Sequence, residues 1–176
     1  MEATTLNVLD VVGTWIAAIG TVGAVITSLW LSINANKEKL KIKASARILI
    51  DSSRNDRPML CMIEIVNIGN KQSKINTIGW EIGKGKKKKS FWQNTNGSIA
   101  DKLPKTILEG EEATFTVDFN SEAQWLNKMA NNLKEHNIKD LKVVVCTSTE
   151  TFKVRIDDSL AKEINKEKEQ LSNPKN

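Results

Sequence analysis

Cysteine and histidine are nearly missing from this chain, with two of the first and one of the second in 176 residues. So few thiols exclude a disulfide scaffold, and a zinc site of the usual Cys/His kind has no ligands to draw on. There is no Gly-rich phosphate loop, nucleophile elbow or zinc signature. The spaced oxygen ligands of a divalent-ion loop are absent as well. Catalysis would have to rest on carboxylates, lysines or hydroxyls, and no complete constellation of these occurs. The sequence is therefore read as non-enzymatic, with no metal and no cofactor. Glu109, Glu111 and Glu112 cluster at a turn, and Asp157 and Asp158 precede a helix, where a carboxylate suits the helix dipole without catalytic work. His136 is expected at a helix C-terminus as a partner of that dipole. Cys61 and Cys146 need no oxidising compartment and are expected as free thiols.

Charge and proline are missing from one long stretch. Val11 to Ile33 reads VVGTWIAAIGTVGAVITSLWLSI, 23 residues without either. At 1.5 Å per residue this spans roughly 34 Å, against a hydrocarbon core of about 30 Å. Soluble core helices are rarely apolar on all sides for this length. A signal peptide needs a basic start and a shorter apolar stretch, whereas the first ten residues hold Glu2 and Asp10 and no Lys or Arg. The run is read as a retained transmembrane helix over 11–33. Trp15 and Trp30 are its interfacial anchors, and the hydroxyls of Thr14, Thr21 and Thr27 can bond back to the helix's own carbonyls. Gly13, Ala17, Gly20, Ala24 and Ser28 recur at spacings of 4, 3, 4 and 4, a stripe of small residues that would serve as a homo-oligomer face.

The flanks orient the span. No basic side chain precedes it; Lys37, Lys39, Lys41, Lys43 and Arg47 follow it, opposed only by Glu38. The positive-inside rule puts residues 1–10 outside, as a short tail, and everything after the span in the cytoplasm. Residues 34–38 form a juxtamembrane linker, so the following domain is expected close to acidic inner-leaflet lipid.

Residues 39–157 read as a β-rich domain. Leu40, Ile42, Ala44, Ala46, Ile48 and Ile50 share one face of a long strand over 39–51. Residues 59–68 are apolar on both faces, as a central strand is. Asn67, Gly69 and Asn70 supply turn chemistry. A third strand runs from Ser73 to Ile82 with Trp80 as core anchor, and Gly83–Gly85 begin a hairpin that returns at Ser90 to Gln93. A looser stretch spans 94–105. Phe115, Val117 and Phe119 share a face of a strand over 113–119. Ser121 caps a helix over 122–135 whose Trp125, Met129 and Leu133 face the sheet. Residues 141–147 and 151–156 form a last hairpin, and Asp157 or Asp158 caps a charged helix to Glu169, within a terminal segment of 158–176. The fold class is mainly β with an N-terminal transmembrane helix. The architecture is an antiparallel immunoglobulin-like sandwich with one inserted helix and a C-terminal helix, with a small β-barrel as the other architecture of this strand count.

The segments VNIGN, INTIGWEIG and LPKTILEGEEATFTVDF, behind a one-span N-terminal anchor, resemble those of uncharacterised bacterial membrane-anchored proteins with a cytosolic β-sandwich domain. The resemblance covers most of the chain and implies an inner-membrane setting. Its motifs are turns and strand cores and imply no catalytic residue.

Lys84, Lys86, Lys87, Lys88 and Lys89 crowd what reads as a hairpin tip. Five cations so close repel one another and gain from an anion: acidic lipid, a phosphorylated ligand or a nucleic-acid backbone. Phe91 and Trp92 beside them could stack on a base, but are read as core residues of the return strand. No recognised nucleic-acid module occurs, which weighs against that partner. The function expected is a membrane-anchored module binding an anionic ligand or a protein partner, the latter by strand addition at a sheet edge. The alternative is an oligomerising, membrane-disrupting effector of an anti-phage defence system, with the β-domain as sensor.

Overall fold

A computed structural model describes residues 2–50, 58–94, 101–119 and 124–172, with side chains from Asp10 onward. The chain divides into two compact units, Met1–Lys37 and Glu38–Asn176. The first holds one helix, α1 (Glu2–Ala35), which runs past both ends of the apolar run and through most of the expected N-terminal tail. Its segment Asp10–Ala35 is 26 residues, long and apolar enough to cross a membrane, and none of it is buried. The hydroxyls of Thr14, Thr21 and Thr27 donate to the carbonyls of Asp10, Ala17 and Gly23 at 2.8 Å, so their polarity is spent inside the helix.

The second unit is mixed α/β, with two antiparallel sheets. Strands β1 (Leu40–Ile48), β2 (Met59–Asn67) and β6 (Glu112–Asp118) form the first sheet in the order β1-β2-β6. The second has five strands: β3 (Ser73–Ile82), β4 (Lys89–Trp92), β5 (Lys105–Ile107), β7 (Lys142–Thr147) and β8 (Thr151–Arg155). Its order is β4-β3-β7-β8, with β5 pairing farther along β3. The central placing of β2 follows from its two apolar faces. Strand β5 begins at the last residue of the stretch expected to be loose and runs beyond it.

Inward residues of both sheets meet in one core. Ile63 and Phe115 from the first sheet and Ile78, Trp80 and Val145 from the second are fully buried in it. Helix α2 (Trp125–Asn132) adds Trp125 and Met129, and Leu133 follows at its end. It is shorter than the helix expected over 122–135, whose cap Ser121 lies outside the described residues. Helix α3 (Asp158–Ser172) adds Leu160 and Ile164. Strand β1 ends sooner than its alternation suggests. Ile48 sits at the last pair of the ladder, opposite Met59, and both Ile48 and Ile50 are exposed because the strand outruns the core.

Polar side chains fix the joints. Asn67, fully buried, donates from Nδ2 to the carbonyls of Lys71 and Ile107 and accepts the Gly69 N–H. Gln93 Oε1 accepts both Trp80 Nε1–H, at 2.9 Å, and Trp125 Nε1–H, at 2.7 Å. The two indoles lie 5.5 Å apart, and Phe119 stacks on Trp125 at 5.6 Å. Asp157 caps α3 by accepting the Ser159 N–H and hydroxyl. It also binds β1: its N–H donates to the Ala44 carbonyl, and the Ala46 N–H donates to Ser159 Oγ. Glu38, the first residue of the unit, is buried and accepts the Thr147 hydroxyl at the β7–β8 turn.

Candidate functional site

The lysine hairpin forms where the sequence puts it. Gly83 and Gly85 take φ of +83° and +57°, a left-handed backbone that favours glycine. A short 3-10 turn, Gly85–Lys87, then returns the chain into β4, with Ile82 opposite Lys89. The five lysines do not act as one unpaired cluster. Lys84 pairs with Asp140 at 2.8 Å and Lys88 with Glu81 at 2.7 Å. Lys86, Lys87 and Lys89 point to solvent.

Phe91 and Trp92 were both expected in the core, and the structure separates them. Adjacent strand residues face opposite ways, so Phe91 packs against the core while Trp92 is 70% exposed. Trp92 stands opposite Gly79 in the ladder. Its ring carbon Cε3 lies 3.2 Å from where a Cβ on Gly79 would be, so the missing side chain makes room for the indole.

The register carries this arrangement across the outer face of the sheet. Trp92, Gly79, Val144 and Lys153 stand in one row; Ser90, Glu81, Lys142 and Arg155 stand in the next. A groove of about 260 Å³ runs over Gly79 and Val144, walled by Trp92 on one side and Cys146, Thr151 and Lys153 on the other. Glu81 closes one end. Its carboxylate is gripped by Lys88 at 2.7 Å and Lys153 at 2.8 Å. Burial alone would raise the Glu81 pKa, but the hydrogen bonds from Lys153 and Lys88 together outweigh it and hold the carboxyl below its ordinary value. Two ammonium groups on one carboxylate leave the groove wall positive. Lys142 and Arg155 stand in the row of Glu81, where the Asp140 carboxylate also feels their charge.

A second hollow, about 810 Å³, lies along α3. Its floor includes Leu141 and Ile156, and Arg155, Lys162 and Lys166 edge it together with Asp158 and Glu169. Among the described residues, no group of three or more His, Cys, Asp or Glu is placed to hold a metal ion.

The other basic residues singled out above stand elsewhere. Lys37 is exposed in the first unit. Lys39, Lys41, Lys43 and Arg47 stand on or beside β1, in the other sheet from the hairpin. Lys43 lies 3.5 Å from Asp157 and Arg47 3.9 Å from Glu64, while Lys39 and Lys41 are exposed. On α1, Trp15 and Trp30 are both exposed, about 22 Å apart along the axis. A Cβ on Gly13 or Gly20 would meet nothing within 4 Å, so the small-residue stripe with Ala17, Ala24 and Ser28 is open. The dipole partner beyond α2 is not the His136 ring, which packs on Gly83. Lys168 of α3 takes that role, donating to the carbonyls of Leu133 at 2.9 Å and His136 at 3.4 Å.

Sequence reasoning missed Gly79, Val144, Cys146 and Lys153 as neighbours of the hairpin. The alternation of Lys153 and Arg155 with Phe152 and Val154 signalled a basic face; which strand would lie beside β3 was not in that signal. The cysteines provide a direct check. Burial pushes the Cys61 thiol far up, whereas Cys146 is partly exposed on the groove wall. Maleimide is expected to label Cys146 in the folded protein and Cys61 only on unfolding, read by peptide mass spectrometry.

A second check is acid stability. Ion pairs and hydrogen bonds also hold Asp101, Asp140 and Asp157 below their ordinary value of 3.8. With Glu81 depressed from 4.5, the stability these groups contribute is present above those values and is lost as pH falls through the folded ones. Urea unfolding midpoints are expected to be steady near neutrality and to drop steeply below about pH 4.

No family model matches the chain, and no curated protein matches it. Among solved structures, it is similar to the crystal structure of a Bordetella pertussis protein provisionally named ApaA, at 12% identity. That match has a TM-score of 0.33 and covers 68% of this chain and 89% of that one. It is also similar to the X-ray structure of the Northeast Structural Genomics Consortium target SoR45, at 14% identity. There the TM-score is 0.29, with 70% and 84% covered.

Proposed function

We propose that this is a non-enzymatic, single-pass binding protein of a bacterial inner membrane. Its N-terminus lies outside, its β-rich unit lies in the cytoplasm, and it holds an anionic ligand on the basic face of the five-stranded sheet. The observation that carries the reading is α1: a 26-residue segment long and apolar enough to cross a membrane, none of it buried, in a unit of its own, with Lys37 and Lys39 just beyond. A soluble protein would bury such a surface. Trp15 and Trp30 sit at the headgroup layers, and each lysine near acidic lipid adds roughly 1 kcal/mol of attraction.

The domain is an immunoglobulin-like sandwich in this reading. Strands β1, β2 and β6 match A, B and E of that fold, and β4, β3, β7 and β8 match C′, C, F and G. Trp80 occupies the place of the buried tryptophan on strand C. Cys61 and Cys146 stand on the B and F strands, but one faces the core and the other the outer face, and both are free.

Carbonate at high pH is expected to leave the protein in the membrane pellet, and protease added to spheroplasts to spare the domain. Release by carbonate, or digestion from outside, overturns the reading. Inorganic tripolyphosphate, the simplest polyanion, is expected to bind the detergent-solubilised chain, more weakly as salt rises. Absence of binding removes the anion site.

A further inference from the structure

The groove over Gly79 joins two features, of which an anion site alone requires only the second. One is an indole, 70% exposed, on a strand whose other aromatic is packed inward. The other is a wall of ammonium groups with positive charge in excess, Lys88 and Lys153 sharing Glu81. An indole so exposed leaves most of its apolar surface in water, which covering by a ligand would remove. Gly79 accounts for where the ring sits, and among the described residues nothing covers the rest of it. A flat aromatic surface beside cations suits a ligand that is itself part aromatic and part phosphate.

We propose that this groove binds a nucleotide unit, its base stacked on Trp92 and its phosphate held by Lys88 and Lys153. The inference rests on the anion-binding reading above and names the ligand class for that site. Stacking is available to any base, because each has a π face, and the ammonium groups supply donors to phosphate oxygens. The volume of about 260 Å³ lies just under the usual range of small-ligand pockets, so one base and its sugar fill it. Further phosphates of an oligonucleotide would leave the groove toward Lys86 and Lys87, exposed lysines of the adjoining hairpin. The absence of a recognised nucleic-acid module does not weigh against a single-nucleotide site, which needs one aromatic and two or three donors.

Cys146 on the groove wall is a built-in reporter. The full chain in detergent is titrated with adenosine monophosphate, a short single-stranded oligoadenylate, inorganic tripolyphosphate and vesicles containing acidic phospholipid. Tryptophan fluorescence and the maleimide labelling rate of Cys146 are followed. Both nucleotides are expected to quench fluorescence and slow labelling, the oligonucleotide at lower concentration. Trp92→Ala is expected to weaken nucleotide binding about 5- to 150-fold and leave tripolyphosphate binding unchanged. Trp92→Phe, which keeps an aromatic face, is expected to retain most of the affinity. Because Trp92 is at the surface, an unfolding midpoint near wild type shows that Trp92→Ala folds.

Nucleotide affinity unchanged in Trp92→Ala overturns the proposal. So does Cys146 protection by tripolyphosphate or acidic vesicles equal to that by nucleotide; in either case the anion reading stands. If neither nucleotide nor tripolyphosphate binds, both fail.

Discussion

Replacing Gln93 by leucine is expected to lower the unfolding free energy by about 2–4 kcal/mol. Leucine is of similar volume though shorter and branched at Cγ, so the change in packing is small beside the change in polarity. What is lost is one carbonyl oxygen that accepts two indole N–H groups, at 2.9 Å from Trp80 and 2.7 Å from Trp125. Trp80 is fully buried and Trp125 nearly so, while Gln93 itself is half-buried, so the loss falls toward the lower part of what two orphaned donors could cost. A buried donor without a partner costs about 1–3 kcal/mol, and here there are two. Urea unfolding followed by near-ultraviolet circular dichroism measures the loss and the loosening of the indole pair. Gln93→Glu keeps an acceptor at the same place and is expected to lose less than half as much. Equal losses in the two variants would mean that the indole hydrogen bonds are not what the residue provides.

The second large effect is expected at Gly79. A Cβ there would lie 2.6 Å from the Phe91 carbonyl oxygen, a backbone atom with no rotamer to escape into, and 3.2 Å from the Trp92 ring. Either β4 moves away from β3 or the ring lifts. Gly79→Ala is expected to cost about 1–3 kcal/mol, the range for overpacking a site that cannot relax by side-chain motion. The same substitution is expected to shift the Trp92 emission, since the ring loses its seat. Gly20→Ala on α1, where the new methyl meets nothing within 4 Å, is the control and is expected to leave the unfolding midpoint in place. A Gly79→Ala protein with wild-type stability and emission would show that the strand pair accommodates a methyl freely.

Much of the fold was legible because its signals are local. Alternation placed β3 from Ser73 to Ile82 and put Trp80 in the core. The spacing of Trp125, Met129 and Leu133 gave the buried face of α2, and the glycines at 83 and 85 gave the hairpin. What failed was decided at a distance. Ile48 and Ile50 continue the pattern of β1, but the ladder ends at Ile48 and both side chains are exposed. Trp92 follows Phe91 in the chain, and an apolar pair after a lysine run does not say which member turns inward. That depends on the register with β3, where Trp92 meets Gly79 rather than a bulky neighbour. The groove was invisible for the same reason: Val144, Cys146 and Lys153 come more than fifty residues after the hairpin, and only strand pairing sets them beside it. Lys168 at the end of α2 was likewise hidden, since a charged terminal helix gives no sign of which carbonyls its side chains will reach.

The grip of α3 on β1 has a consequence for what this domain can refuse. Strand β1 lies at the rim of its sheet, and a rim normally presents a ready template for another extended chain. Here the outward carbonyl of Ala44 and the outward N–H of Ala46 are already taken, by the Asp157 N–H and Ser159 Oγ. Recruitment by β-augmentation is therefore blocked at the middle of that rim, and the terminal helix serves as a guard there. Losing the hydrogen bonds of Asp157 and Ser159 would bare those two backbone groups and return the rim to the exposed state of an ordinary edge strand.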